Sequence, residues 1–244
     1  DEAADRVVMG PERRSRVISP REKKITAYHE AGHALAAHFL DYADPVHKIT
    51  IVPRGRAMGY VMQSPENDRM SMSKNMLLDR IGVALAGRAV EALIFEDVTT
   101  GAQNDFEQAT NIAKRMVTSW GMSSELGRVA LASGNESYLG DYEGARSYSE
   151  ATAKLIDSEV KSIIETQYQR VMALIEARRD LLEQIVDVLL ERETLHADEF
   201  AMLICGDPLP ELAPVQEPLV APKPKPSRDK EPPRLPPNMM PKPS

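Results

Sequence analysis

Residues 29–33 read His-Glu-Ala-Gly-His, and this run constrains the fold more than any other feature of the chain. Four residues at about 100° each come to roughly 400°, so on a helix His29 and His33 project about 40° apart, one turn above the other. Two neutral imidazoles at that separation can hold one zinc ion, while Glu30 between them is free to take a proton from an attacking water. The motif therefore demands a helix, and the flanking residues supply one. Ser19-Pro20-Arg21-Glu22 reads as a capping box with proline at the first helical position. From there Ile25, Tyr28, Ala31, Leu35 and Phe39 recur at three- and four-residue steps, predicting one buried stripe bordered by both histidines. A lone histidine in such a helix is most often a core or surface residue; a pair at this spacing around a glutamate points to metal.

A catalytic zinc needs a third protein ligand and an open position for water. The extended pattern HExxHxxGxxH would need glycine at Ala36 and histidine at Phe39, and His38 is one residue out of register. A glutamate twenty to twenty-five residues on would fall within Pro53–Met58, which holds no carboxylate. Zinc deaminase chemistry requires a Cys-x-x-Cys pair, and Cys205 is the only cysteine. A distant carboxylate is left, with Glu91, Glu96, Asp97 and Asp105 as the candidates.

Among these, Asp105 closes Thr99-Thr100-Gly101-Ala102-Gln103-Asn104-Asp105, which stands 72 residues beyond His33 and resembles the second signature of the FtsH-type membrane-anchored AAA metalloproteases. Met9–Ser15, Thr26–His33, Pro45–Gly55 and Met116–Met122 are similar to the same family, so the likeness runs from about Val8 to Asp207. The resemblance implies that His29, His33 and Asp105 bind one zinc ion per subunit and that Glu30 is the catalytic base. It implies for Glu91 a supporting or structural place near the site. It further implies unfolded or membrane protein substrates and a homo-hexamer. An ATPase module, the part that would use ATP, and membrane helices would lie N-terminal to the peptidase, which would face the cytoplasmic side of a bacterial membrane or sit in an organelle. The chain opens without methionine in what resembles the junction after that ATPase, so it is expected to be the peptidase portion of a longer protein.

The expected fold is mainly α: a helical zinc-peptidase domain with a small β-hairpin or sheet near the active site and a C-terminal helical bundle. Val46–Val52 is rich in β-branched residues, and Gly59-Tyr60-Val61-Met62 follows after Pro53-Arg54-Gly55, which predicts the hairpin. An exposed strand edge can bind a peptide's main chain with little regard to sequence, and by analogy with the family Gly59, Tyr60, Val61 and Met62 line the cleft. His47 reads as structural or solvent-facing. Helices are expected from Ser71 or Ser73 to Phe95, with Leu77, Ile81, Ala84, Leu85, Val90 and Ile94 inward, and from Ala102 to Gly121. Asp105 falls in the first turn of the latter, where the helix dipole favours a carboxylate even without metal. Three more follow at about 146–177, 179–191 and 197–204, the first with a stripe of Leu155, Val160, Ile163, Ile164, Tyr168, Val171, Met172 and Ile175. Gly82–Ala89 has the glycines of a phosphate-binding loop but lacks its Lys-Ser/Thr pair, and it sits inside a helical pattern. Small residues permitting close helix contact explain it better, and no nucleotide site is visible.

Three segments are expected: a linker over residues 1–20, the zinc metallopeptidase domain over 21–206, and a Pro-rich disordered tail over 207–244. The last 38 residues hold 13 of the 18 prolines and carry +1, leaving −8 on the rest. That charge argues against nucleic acid, which is bound through a basic face. One cysteine permits no intrachain disulfide, and no run is apolar enough to span a bilayer. A silent oligomerisation module with structural zinc, and a metal-free helical adaptor, are the competing readings; the intact Glu30 speaks against the first, because a structural site needs no base.

Overall fold

The computed structural model describes residues 18–55, 57–64, 69–97, 99–131 and 148–211. The 1–20 linker except its last three residues, the polar stretch from Ser133 and nearly all of the Pro-rich tail lie outside the described residues. Within them six α-helices and three strands follow in order: α1 (Pro20–Phe39), β1 (Val46–Thr50), β2 (Tyr60–Gln63), α2 (Lys74–Phe95), α3 (Gln103–Thr118), α4 (Glu150–Glu176), α5 (Arg179–Arg192), β3 (Thr194–His196) and α6 (Ala197–Cys205). The architecture is mainly α with a small antiparallel sheet, as expected.

Helix α1 starts where its sequence dictates. Ser19 Oγ accepts the Glu22 amide at 3.2 Å, the Glu22 carboxylate accepts the Ser19 amide at 3.2 Å, and Pro20 takes the first turn. Its burial differs from the one-stripe expectation: every residue from Ala27 to Ala37 except His29 is buried. The helix has neighbours all round, with α2, α5, β1, β2 and α4 packed on it. Alanines and Gly32 make this geometry available, since a Cβ on Gly32 would lie 2.6 Å from Val90 and 3.0 Å from the Ala86 carbonyl oxygen of α2. The Tyr28 hydroxyl donates to Glu183 of α5, and the Tyr28 ring meets Phe95 edge-on at 5.3 Å. These contacts leave α1 little freedom to rotate.

Helix α2 is shared between two apolar clusters. One joins it to α1, the sheet, the end of α4 and α5; the other packs Leu77, Ile81, Ala84 and Leu85 on Ala109, Ala113 and Met116 of α3. Each fully buried Leu, Ile or Met here contributes about 1.5–3 kcal/mol, enough to fix α3 against α2. In α4 the inward stripe is Ala153, Ile156, Gln167, Val171 and Ile175, and Leu155 is 46% exposed. The rest of the expected stripe holds, with Val160, Ile163, Ile164, Tyr168 and Met172 packed against the two clusters; Leu155 alone turns outward, and the equally apolar Ile156, about 100° away, takes the inward place. The described helix also begins at Glu150 rather than 146.

The sheet has the order β2-β1-β3. The β1–β2 pair is the expected hairpin, with Ile49 opposite Val61 and Thr50 opposite Tyr60. Strand β3 was not anticipated: three residues between helices are too few to show alternation. It is held by pairing with β1, by the Thr50–Thr194 hydroxyl contact at 2.8 Å and by the fully buried Leu195. With β3 occupying one side of β1, β2 is left as an edge. No helix among the described residues is long and apolar enough to cross a membrane.

Candidate metal centre

Helices α1 and α2 and the head of α3 meet at His29. His29 and His33 stand one turn apart on α1, their rings perpendicular with centroids 4.7 Å apart. Asp105 reaches them from the first turn of α3. The separations are 3.1 Å between the two Nε2 atoms, 3.2 Å from His29 Nε2 to Asp105 Oδ2, and 3.6 Å from His33 Nε2 to the same oxygen. Among the described residues these three form the group whose ligand-type atoms converge. Glu96 and Asp97 lie exposed beyond the end of α2, and His47 is half-buried on β1, outside the cluster.

The outward nitrogens are committed elsewhere. His33 Nδ1–H donates to the Val83 carbonyl at 2.7 Å, and His29 Nδ1–H donates to Glu91 Oε1 at 2.8 Å. Both Nε2 atoms are thereby directed at one point together with a carboxylate oxygen, a convergence that a metal cation would satisfy. Two nitrogens and one oxygen suit zinc and are a poor set for calcium or magnesium, which take oxygen. A tetrahedron of ligands about 2.1 Å from zinc has edges of about 3.4 Å, and the observed 3.1, 3.2 and 3.6 Å bracket that value. The residues fit the ion, and three ligands leave a fourth position free.

Glu91 belongs to the site as a support. It is 1% exposed; one oxygen holds His29, and the other accepts the Thr99 amide at 3.2 Å and the Thr99 hydroxyl at 3.1 Å. It faces the nitrogen of His29 turned away from Asp105, so the two carboxylates grip opposite sides of one imidazole.

Glu30 occupies the next position on α1, buried against the start of β2. A Cβ on Gly59 would lie 2.9 Å from Glu30 Oε1 and 2.7 Å from the Thr50 carbonyl oxygen, so only glycine fits there. Tyr60, Val61 and Met62 continue from this contact along the edge strand. Gly87 is a residue the sequence reading missed as part of the site. A Cβ there would fall 2.5–2.7 Å from the His29 ring, so its bare backbone is the seat of that imidazole. The only sequence signal was the small-residue run Gly82–Ala89, whose close helix packing the fold bears out.

The electrostatics follow from this packing. Burial opposes charge on His29, but its bonds to Asp105 and Glu91 outweigh that and push its pKa up to about 10. Burial likewise opposes ionisation of Asp105 and Glu91. Hydrogen bonds from His29 and His33 hold Asp105 well below the usual carboxylate range, and those from His29 and Thr99 lower Glu91. Burial raises Glu30, against the neighbouring histidines, which pull it down. The pocket thus stabilises positive charge between the imidazoles while keeping one carboxyl group inclined to hold a proton.

Residues 16–203 match the model of peptidase family M41. The chain is 59% identical over 209 residues to the "ATP-dependent zinc metalloprotease FtsH" of Thermus thermophilus, covering 86% of this chain and 33% of that protein. It is 47% identical over 229 residues to the "ATP-dependent zinc metalloprotease FtsH 3" of Symbiobacterium thermophilum, covering 93% and 35%. It is 48% identical over 214 residues to the protein named FtsH in Bacillus subtilis, covering 86% and 34%. The chain therefore spans about a third of the length of these curated relatives.

Proposed function

The chain belongs to peptidase family M41, and on that premise we propose that it is a zinc-dependent endopeptidase with His29, His33 and Asp105 as ligands and Glu30 as general base. The observation that carries the reading is the convergence of two imidazoles and one carboxylate within 4.8 Å, beside a buried glutamate and a strand edge. Bound there, zinc would supply Lewis acidity towards the scissile carbonyl and the attacking water.

The chain's own residues do the rest. Glu30 accepts the water's proton at its carboxylate and returns it to the leaving amine. Its burial, which raises its proton affinity, suits it to carry that proton between the two steps. Glu91 and the Val83 carbonyl fix the tautomer of each histidine, leaving the Nε2 lone pairs inward. The edge of β2, starting at Gly59 against Glu30, offers backbone groups to an extended peptide, which places a substrate's main chain beside the base.

In the full protein this unit would be the cutting part of an ATP-dependent, membrane-anchored hexamer, its peptidase on the cytoplasmic side, that degrades unfolded or misassembled proteins. Unfolding and delivery would belong to a separate ATPase module, so unfolded casein or a short peptide is the fitting substrate for this chain. Elemental analysis after mild dialysis should find about one zinc per subunit in the wild type and far less in Asp105→Ala. Glu30→Gln should retain zinc and lose hydrolysis. Full activity in Glu30→Gln, or zinc undiminished in Asp105→Ala, would overturn the assignment.

A further inference from the structure

We propose that Arg88 is a positioning residue of this metal centre: it fastens the turn before α3 to α2 so that Asp105 meets His29. The inference rests on the zinc-site reading above. Helix α3 has Ala102 at its N-cap, which supplies no side-chain cap, so the polar contacts that locate its N-terminus come from outside the helix. The turn Thr99–Ala102 leading into it buries Ala102 and is tied to α2 by hydrogen bonds at Thr99. Its amide and hydroxyl bind Glu91, and its carbonyl accepts from Arg88 Nη1 at 2.9 Å. Arg88 lies one turn before Glu91 on α2, with Nη1 3.7 Å from Glu91 Oε2. Its guanidinium carbon Cζ sits over the ring of Phe106, the residue directly after Asp105, 5.7 Å from the centroid.

One planar cation therefore touches the chain on both sides of Asp105 and the carboxylate that orients His29. A lysine could keep the charge near Glu91. It could not reach the Thr99 carbonyl and stack on Phe106 together, because an ammonium has neither the fork nor the flat face. Removing Arg88 leaves the Thr99 carbonyl without this donor and loosens the turn before α3, so that the first turn of the helix, though its body stays packed on α2, can carry Asp105 away from the Nε2 atoms.

The test is zinc affinity measured by competition with a chromophoric chelator, on wild type, Arg88→Met and Arg88→Lys, with thermal unfolding of the metal-free proteins alongside. Outer partners of metal ligands are commonly worth about 10–100-fold in affinity. Both variants should fall by at least about tenfold, Met further than Lys. The loss from Arg88→Met should largely vanish in an Asp105→Ala background, because Arg88 acts through that residue. Wild-type affinity in Arg88→Lys would show that only charge beside Glu91 matters and would overturn the proposal, as would an equal loss with and without Asp105. Should Arg88→Met not fold, the Lys variant in both backgrounds decides the matter. A wild type that binds no zinc would instead refute the zinc-site reading itself.

Discussion

Gly87→Ala sets two known effects against each other at the metal centre. In an ordinary helix interior the change is favourable by about 0.8–1.0 kcal/mol, since alanine has the higher propensity. Here the new methyl would lie 2.5 Å from His29 Cε1, 2.6 Å from Nε2 and 2.7 Å from Nδ1. Carbon contacts settle at about 3.5–4.0 Å, so ring and methyl must part by about 1 Å. The ring cannot swing away freely: Glu91 holds its Nδ1 at 2.8 Å and is itself anchored on Thr99. Nor can α2 retreat easily from α1, because Leu77, Ile81, Ala84 and Leu85 already pack it on α3. Overpacking of this kind costs about 1–3 kcal/mol, giving a net destabilisation of about 0–2 kcal/mol after the propensity gain. At about 2–4 °C per kcal/mol for a domain of this size, Tm of the metal-free protein should fall by up to about 8 °C. The decisive reading is zinc affinity, which should drop about 10–100-fold as one ligand is displaced. Helix propensity cannot produce that loss. A Gly87→Ala protein with raised Tm and wild-type zinc affinity would refute the seating of His29 on the bare backbone of α2.

Gly59→Ala should lower hydrolysis of a short peptide at least about tenfold with zinc content unchanged, because the methyl meets Glu30 Oε1 and the Thr50 carbonyl rather than a ligand; steady-state kinetics beside elemental analysis checks it. Arg170→Met should destabilise by about 1–3 kcal/mol and leave zinc stoichiometry intact. It strips buried Asp79 of a 2.6 Å partner and leaves it, among the described residues, the Tyr42 amide at 2.9 Å; thermal melts of both proteins decide it. In the metal-free protein the raised pKa of His29 makes its imidazolium a stabilising group. That stability is fully present below the ordinary value of 6.5 and disappears as pH rises through about 10, so Tm of the chelated protein should fall across this window. His29→Gln should flatten the fall, and an unchanged slope would assign it to other groups.

The sequence by itself determined what depends on local period. Ser19, Pro20 and Glu22 started α1; the three-residue gap between His29 and His33 put both imidazoles on one side of it; β-branched residues in Val46–Val52 marked the strand beside it. The length and inward face of α2 were equally legible, since Leu77, Ile81 and Leu85 recur at helical spacing. Leu155 was misjudged because two adjacent apolar residues give the period no way to choose between them. The tertiary structure alone decided the rest. Spacing left Glu91, Glu96, Asp97 and Asp105 as candidates, among which only the family resemblance pointed to Asp105; packing puts Glu91 and Asp105 on opposite nitrogens of His29 and leaves Glu96 and Asp97 exposed. Strand β3 exists through pairing with residues over 140 positions earlier, and nothing in Thr-Leu-His announces it. The all-round burial of α1 and the seating of the His29 ring over Gly87 likewise follow from how closely α1 and α2 approach. Helical and strand periods are set by backbone geometry and repeat within a few residues. The distance between side chains 62 or 76 residues apart is set by which faces pack together, and that information is spread over the whole core.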